Sequence, residues 1–193
     1  MPQPFTVLVV CIGNVCRSPL AERLLRERLR EQLGELSEAV VVESAGTRAM
    51  AGRPMDAMAA QELGRLGLTN EDFRARQLTE RMANDAGLVL TATKELRSRV
   101  LEDAPGALRR AFTITEFAAL ADGVSADSPR ELVADAAQRR SLAQVEDYDI
   151  PDPIGAGPDV HRKAADLVDA SVTPIAAAIA TAVRKAQDGA KTA

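Results

Sequence analysis

The chain has no tryptophan, one tyrosine, one histidine and two cysteines in 193 residues, and aromatic residues make up only 3% of it. A single histidine excludes multi-histidine metal centres and leaves a Ser-His-Asp triad no imidazole other than His161. Set among Asp159, Arg162 and Lys163, that histidine is expected to face solvent. Cys11 and Cys16 lie too close together for the spread framework of a secreted, disulfide-stapled domain, so their use is expected to be chemical. No unbroken apolar run approaches the roughly 18 residues of a membrane span. No basic stretch precedes the apolar start in the manner of a leader. The expectations are no membrane insertion and a cytoplasmic location. Positive charge is not in excess either: 24 Lys plus Arg stand against 28 Asp plus Glu, a net charge of -4, which argues against nucleic acid as a partner.

What is present fits a soluble globular fold, with 46% hydrophobic and 27% charged residues. A chain of this length buries about 70% of the surface its unfolded form exposes, enough for a core without disulfides or metal. Residues 6–10 are apolar and β-branched almost without interruption, the pattern of a strand covered on both faces of a parallel sheet. Ser18-Pro19 then offers a capping hydroxyl and a proline at the first helical turn. Leu20, Leu24, Leu25, Leu29 and Leu33 follow at helical spacing, and Gly34 is placed to end the helix. Further strands are expected at 39–42, 87–90 and 111–114, and helices at 57–66 and 94–102. Strands alternating with helices predict an α/β fold. The expectation is a single domain over 1–193, three-layer α/β/α around a central four-stranded parallel sheet, with a phosphate-binding loop between the first strand and the first helix. The 116–149 region reads as a possible surface insertion, with a capping box at 128–131 opening a helix to about 142. A long C-terminal helix is expected to kink or break before Pro174, and 188–193 to fray.

The chemistry concentrates in Cys11-Ile12-Gly13-Asn14-Val15-Cys16-Arg17-Ser18, a cysteine and an arginine separated by five residues between a strand and a helix. Amides of a short loop entering a helix N-terminus converge on one concavity, and the helix dipole adds positive potential, so Ile12, Gly13, Asn14, Val15, Cys16, Arg17 and Ser18 are expected to cradle a tetrahedral oxyanion. Arg17 closes the cradle with a planar fork that matches two phosphate oxygens. The same field favours the thiolate of Cys11, which makes it a nucleophile beneath a bound phosphate. Gly13 and Asn14 suit a loop that needs left-handed backbone, and the Ser18 hydroxyl can serve both as helix cap and as donor to the Cys11 sulfur.

This stretch, CIGNVCRSPLAE over residues 11–22, resembles the low-molecular-weight protein tyrosine phosphatases, whose signature is C-x-G-N-x-C-R-S-P-x-A-E. The resemblance extends to Ser44-Ala45-Gly46-Thr47, Arg76-Gln77-Leu78 and Asp152-Pro153. It implies catalytic roles for Cys11, Arg17 and Asp152: a phosphocysteine on Cys11, charge stabilisation by Arg17, and Asp152 as general acid and then base. It also implies that Asn14, Ser18 and Ser44 support the loop, that Cys16 is a redox partner able to form a reversible disulfide with Cys11, and that no metal or other cofactor is needed. The implied partners are a phosphotyrosine-containing protein, with inorganic phosphate or other oxyanions as ligands. Ile154 and Gly155 stand where the family often has aromatic residues, so the slot above the cradle is expected to be aliphatic. Asp149 is the other candidate for the acid. Two alternatives remain open on the same cradle: a protein arginine phosphatase, and an arsenate reductase that draws on a small external thiol. A non-catalytic anion sensor or thiol switch is disfavoured by the presence of Cys11, Arg17 and Asp152 together.

Overall fold

The computed structural model describes residues 3–192. Strands β1 (Phe5–Cys11), β2 (Val40–Gly46), β3 (Leu88–Thr91) and β4 (Ala111–Thr113) form one parallel sheet in the order β2-β1-β3-β4. Helices are α1 (Arg17–Leu33), α2 (Ala57–Arg65), α3 (Glu80–Asp85), α4 (Lys94–Asp103), α5 (Ile114–Ala121), α6 (Pro129–Gln138) and α7 (Pro158–Thr192). The continuous apolar run in β1 has its predicted cause. Phe5, Val7 and Val9 pack with side chains of α1, α2 and α7, while Leu8 and Val10 pack on the other face with Ala83 of α3 and Val100 of α4. Each such side chain, removed from water, contributes about 1.5–3 kcal/mol. The result is the expected three-layer α/β/α arrangement. Because β2 lies on one side of β1 and β3 on the other, the strand order reverses at β1, and the crevice at its carboxyl end is where an open parallel sheet takes ligands. Cys11 is the last residue of β1.

Several boundaries differ from the sequence reading. Residues 34–39 form a short 3₁₀ segment, so the second strand begins at Val40; it continues to Gly46 because Ser44, Ala45 and Gly46 pair with Val9, Val10 and Cys11. The Ser128 hydroxyl accepts the Glu131 amide as predicted, yet the Glu131 carboxylate turns to the amide of Asp127, and α6 ends at Gln138. A full capping box sits instead at Thr113 and Glu116, opening α5. The 116–149 region contributes Phe117, Leu120, Leu132, Val133 and Ala136 to the core.

Helix α7 runs unbroken through Pro174 and on to Thr192; residue 193 lies outside the described residues. Pro174 is tolerated because the carbonyl left without its amide belongs to Ala170, an exposed residue that water can reach. By length and composition alone α7 could cross a bilayer, its most apolar window having a mean hydropathy of 1.4. Its apolar stripe, Val168, Val172, Ile175, Ile179 and Val183, is buried within the main core cluster together with residues of α1 and α5. The same stripe, followed back by one helical repeat, passes through His161. That side chain is 3% exposed, not solvent-facing: its polar sequence neighbours point outward, while the i, i+3, i+4 positions 161, 164 and 165 point in.

Candidate active site

The loop after β1 is held from outside by its carbonyls. Those of Cys11, Ile12, Gly13 and Val15 accept the amides of Thr47, Arg48, Met50 and Asp56 at 2.9–3.0 Å. With the carbonyls committed outward, the peptide planes turn their N–H groups inward. Among the described residues, no backbone carbonyl pairs with the amides of Gly13, Asn14, Val15 or Cys16. Gly46 makes this close approach possible, since a Cβ there would lie 2.4 Å from the Ile12 carbonyl oxygen. Asn14 takes the left-handed turn, with φ at 53°.

The start of α1 is open. Helices α2 to α6 have their first amides closed by Asp56, Thr79, Thr93, Thr113 and Ser128, whereas the N-cap of α1, Cys16, supplies no side-chain hydrogen bond. Its first turn also carries no acid. The predicted capping role of Ser18 is therefore corrected: the helix begins at Arg17, and the hydroxyl lies 2.9 Å from the sulfur of Cys11. That hydroxyl accepts a hydrogen bond from Asn14 Nδ2, so with Cys11 ionised its own proton is the one available to the sulfur. Asn14 Nδ2 also donates to Ser44 Oγ at 2.9 Å, and its Oδ1 accepts the amide of Arg76 at 2.8 Å. Ser44 in turn donates to Glu22 Oε2 at 2.5 Å, and Glu22 pairs with Arg26. A continuous set of hydrogen bonds thus links Arg26, Glu22 and Ser18 of α1, Ser44 of β2, Asn14 of the loop and Cys11 of β1, with Glu22 accepting at one end and Asn14 donating both ways from the middle.

Arg17, 3% exposed, donates from Nη1 to the Ile150 carbonyl at 2.9 Å and pairs through Nη2 with Asp152 at 2.6 Å. Its Nε is buried and has no partner among the described residues. Asp152 is partly exposed and also accepts the amide of Ile154 through Oδ1, a local turn; the two bonds from Arg17, to Asp152 and to the Ile150 carbonyl, tie the Asp-Pro segment to the loop. Asp149 is occupied elsewhere, its carboxylate accepting the first amide of α4 at 2.7 Å. Cys16 is buried, and burial first, then the negative charge of Asp56, pushes its thiol well above the usual range. Both cysteines are free thiols.

A family description, low molecular weight phosphotyrosine protein phosphatase, matches residues 6–130. The chain belongs to this family. It is 40% identical over 100 residues to the low molecular weight protein-tyrosine-phosphatase Etp of Escherichia coli strain K12, covering 52% of this chain and 62% of that protein. It is 44% identical over 85 residues to the probable low molecular weight protein-tyrosine-phosphatase EpsP of Ralstonia solanacearum, covering 44% and 53%. The chain therefore spans less than two thirds of these curated relatives. In three dimensions it is similar to the YwlE arginine phosphatase from Geobacillus stearothermophilus, with a TM-score of 0.68 and 29% identity over 90% of this chain and 92% of that one.

The structure brings Cys11, Asn14, Arg17, Ser18, Ser44 and Asp152 together around one loop. Beside them a groove of about 210 Å³ is lined by Val15, Met50, Pro54, Met55 and Ile154 together with Arg53 and Asp56. Met50, Ile12 and Ile154 are each at least 39% exposed, so the mouth is aliphatic. Tyr148 is not among the groove's lining residues; its ring lies under the ammonium of Lys94, 3.6 Å from it. Sequence reasoning missed the support given by Glu22 and by the Arg76 amide. Glu22 closes the twelve-residue pattern, but its partner is 22 positions away and only the fold reveals it.

Proposed function

We propose that this protein is a cysteine-dependent phosphomonoesterase acting on phosphotyrosine in proteins. The observation that carries the reading is a buried thiol beneath an uncapped helix N-terminus, with an arginine whose buried Nε remains unspent. An incoming phosphoryl group takes its equatorial oxygens to the loop amides and to Arg17, where fixed dipoles and a cation meet the charge of the transition state. The Cys11 sulfur attacks phosphorus in line; the bond to the leaving oxygen breaks as Asp152 delivers a proton to it. Water then attacks the phosphocysteine, Asp152 takes its proton, and the sulfur leaves as thiolate with the Ser18 hydroxyl donating to it. Asp149 is set aside because its carboxylate is bound to α4, whereas Asp152 reaches Arg17.

The names of Etp and EpsP support phosphotyrosine, and the aliphatic groove accepts a flat, uncharged ring against Met50 and Ile154. The arginine phosphatase reading rests on YwlE, the arsenate reductase reading on the cradle alone. Cys16 is the proposed resolving thiol once Cys11 is oxidised: held protonated by burial and Asp56, it leaves the first oxidation to Cys11. Thiol chemistry of this kind operates in a reducing compartment, which supports a cytoplasmic setting. Turnover of a phosphotyrosyl peptide and a phosphoarginyl peptide by wild type and Cys11→Ser tests the proposal. Hydrolysis of the first, abolished in Cys11→Ser, supports it; a preference for phosphoarginine, or activity surviving in Cys11→Ser, overturns it.

A further inference from the structure

The first turn of α7 brings His161 against the N-caps of two other helices. One ligand atom each from Cys16, Asp56 and His161 lies within 4.8 Å of the others, and His161 Nδ1 is 3.9 Å from Asp56 Oδ1. His161 is 3% exposed, and neither ring nitrogen has a hydrogen-bond partner among the described residues. Buried imidazole nitrogens are normally satisfied, so this pair marks an unmet demand for a ligand. A cavity of about 10 Å³, room for one water-sized particle, borders Cys16, Leu20, Ala59, His161 and Ala164.

We propose that Cys16, Asp56 and His161 form a binding site for a zinc-class transition-metal dication, beside the phosphate cradle and separate from the chemistry at Cys11. The donor set is one sulfur, one imidazole and one carboxylate, a mixture that suits Zn²⁺ or Co²⁺ over Mg²⁺ or Ca²⁺. Ligand atoms around tetrahedral zinc sit about 3.4–3.7 Å apart, given bonds of about 2.0–2.3 Å, so the three groups need to close by about an ångström. The Asp56 carboxylate is already fixed, its Oδ1 accepting the amides of Met58 and Ala59 at 3.0 and 3.2 Å, and that same oxygen is the one 3.9 Å from His161 Nδ1. The charges balance: Cys16 loses one proton on binding, so thiolate, carboxylate and neutral imidazole together cancel the dication. The neighbouring ions are already matched. Arg17 is paired with Asp152, and Glu62 is held by Arg65 and Arg162. A metal here would hold the Cys16 sulfur and withdraw it from disulfide exchange with Cys11.

The test is titration of the reduced protein with Co²⁺, read by sulfur-to-cobalt charge transfer and by visible ligand-field bands, followed by competition with Zn²⁺. One equivalent is expected to bind, with the charge-transfer band lost in Cys16→Ser and affinity lowered at least 100-fold in His161→Phe. His161→Phe replaces an unpartnered imidazole by an apolar ring, so it should fold, melt no lower than wild type and keep its metal-free phosphatase activity. Asp56→Asn, which keeps the helix cap, is expected to weaken binding about tenfold. Cys11→Ser should bind as wild type does. A band that survives in Cys16→Ser, affinity unchanged in a folded His161→Phe, loss of the band in Cys11→Ser, or no band in wild type would each overturn the proposal.

Discussion

Asn14 is the residue on which the loop geometry depends most, and its replacement separates backbone strain from hydrogen bonding. Asn14→Ala removes three hydrogen bonds, the buried ones to Ser18 and Ser44 and a partly buried one from the Arg76 amide. At about 0.5–1.5 kcal/mol each, these amount to about 1.5–4.5 kcal/mol. Alanine must also hold a φ of 53°, which costs about 1–2 kcal/mol more. The expected loss is about 2.5–6.5 kcal/mol, a large part of the 5–15 kcal/mol by which proteins are typically stable. Asn14→Gly removes the same bonds but adopts that φ freely, so it should recover about 1 kcal/mol relative to alanine. Urea unfolding monitored by circular dichroism gives both numbers. Turnover should fall further than stability suggests, by about 10²–10³-fold in kcat/KM, because mis-aimed amides lose transition-state stabilisation. Should Asn14→Ala unfold within about 0.5 kcal/mol of wild type and hydrolyse an aryl phosphate within threefold of its rate, the idea that this side chain shapes the cradle is wrong.

Three other outcomes follow from the same geometry. Asp152→Ala should lower kcat by about 10²–10⁴-fold, most for poor leaving groups, while Asp149→Ala should cost about 1 kcal/mol of stability through α4 and leave kcat within a few-fold; steady-state kinetics on aryl phosphates of graded acidity would expose a reversed assignment. Gly46→Ala forces a methyl to within 2.4 Å of the Ile12 carbonyl, so activity should drop even where thermal melting shows a folded protein. Iodoacetamide near neutral pH should label Cys11 at the floor of the cradle and spare Cys16, whose thiol desolvation and the charge of Asp56 hold protonated, and inorganic phosphate should protect Cys11; peptide mass mapping reads both.

The cradle was legible in the sequence because it is local: strand, turn and helix start are contiguous, and each residue type has its own reason to be there. The centre of the sheet was legible for a related reason, since β1 and β3 are buried on both faces and are apolar almost throughout, whereas β2 at the edge exposes Val41 and carries Glu43. What escaped depends on partners distant in the chain. Ser18 looked like a cap because a hydroxyl before proline usually is one, but the sulfur seven residues back and the amide of Asn14 claim it instead. Glu22 and Ser44 meet only when α1 is laid along β2. His161 was misjudged from its immediate neighbours, whereas the stripe that begins at 164 and 165 already pointed to its face of α7. α7 was expected to kink or break before Pro174; it continues without a break, and the exposed carbonyl at Ala170 removes most of the reason for one.

A crystal structure of the protein soaked with vanadate tests the central claim most directly. Vanadium should be bonded to the Cys11 sulfur, with its equatorial oxygens on the amides of residues 12–17 and on Arg17, and Asp152 displaced toward the apical oxygen. Vanadate held elsewhere, or an oxyanion in the loop with the Cys11 sulfur turned away from it, would contradict the account.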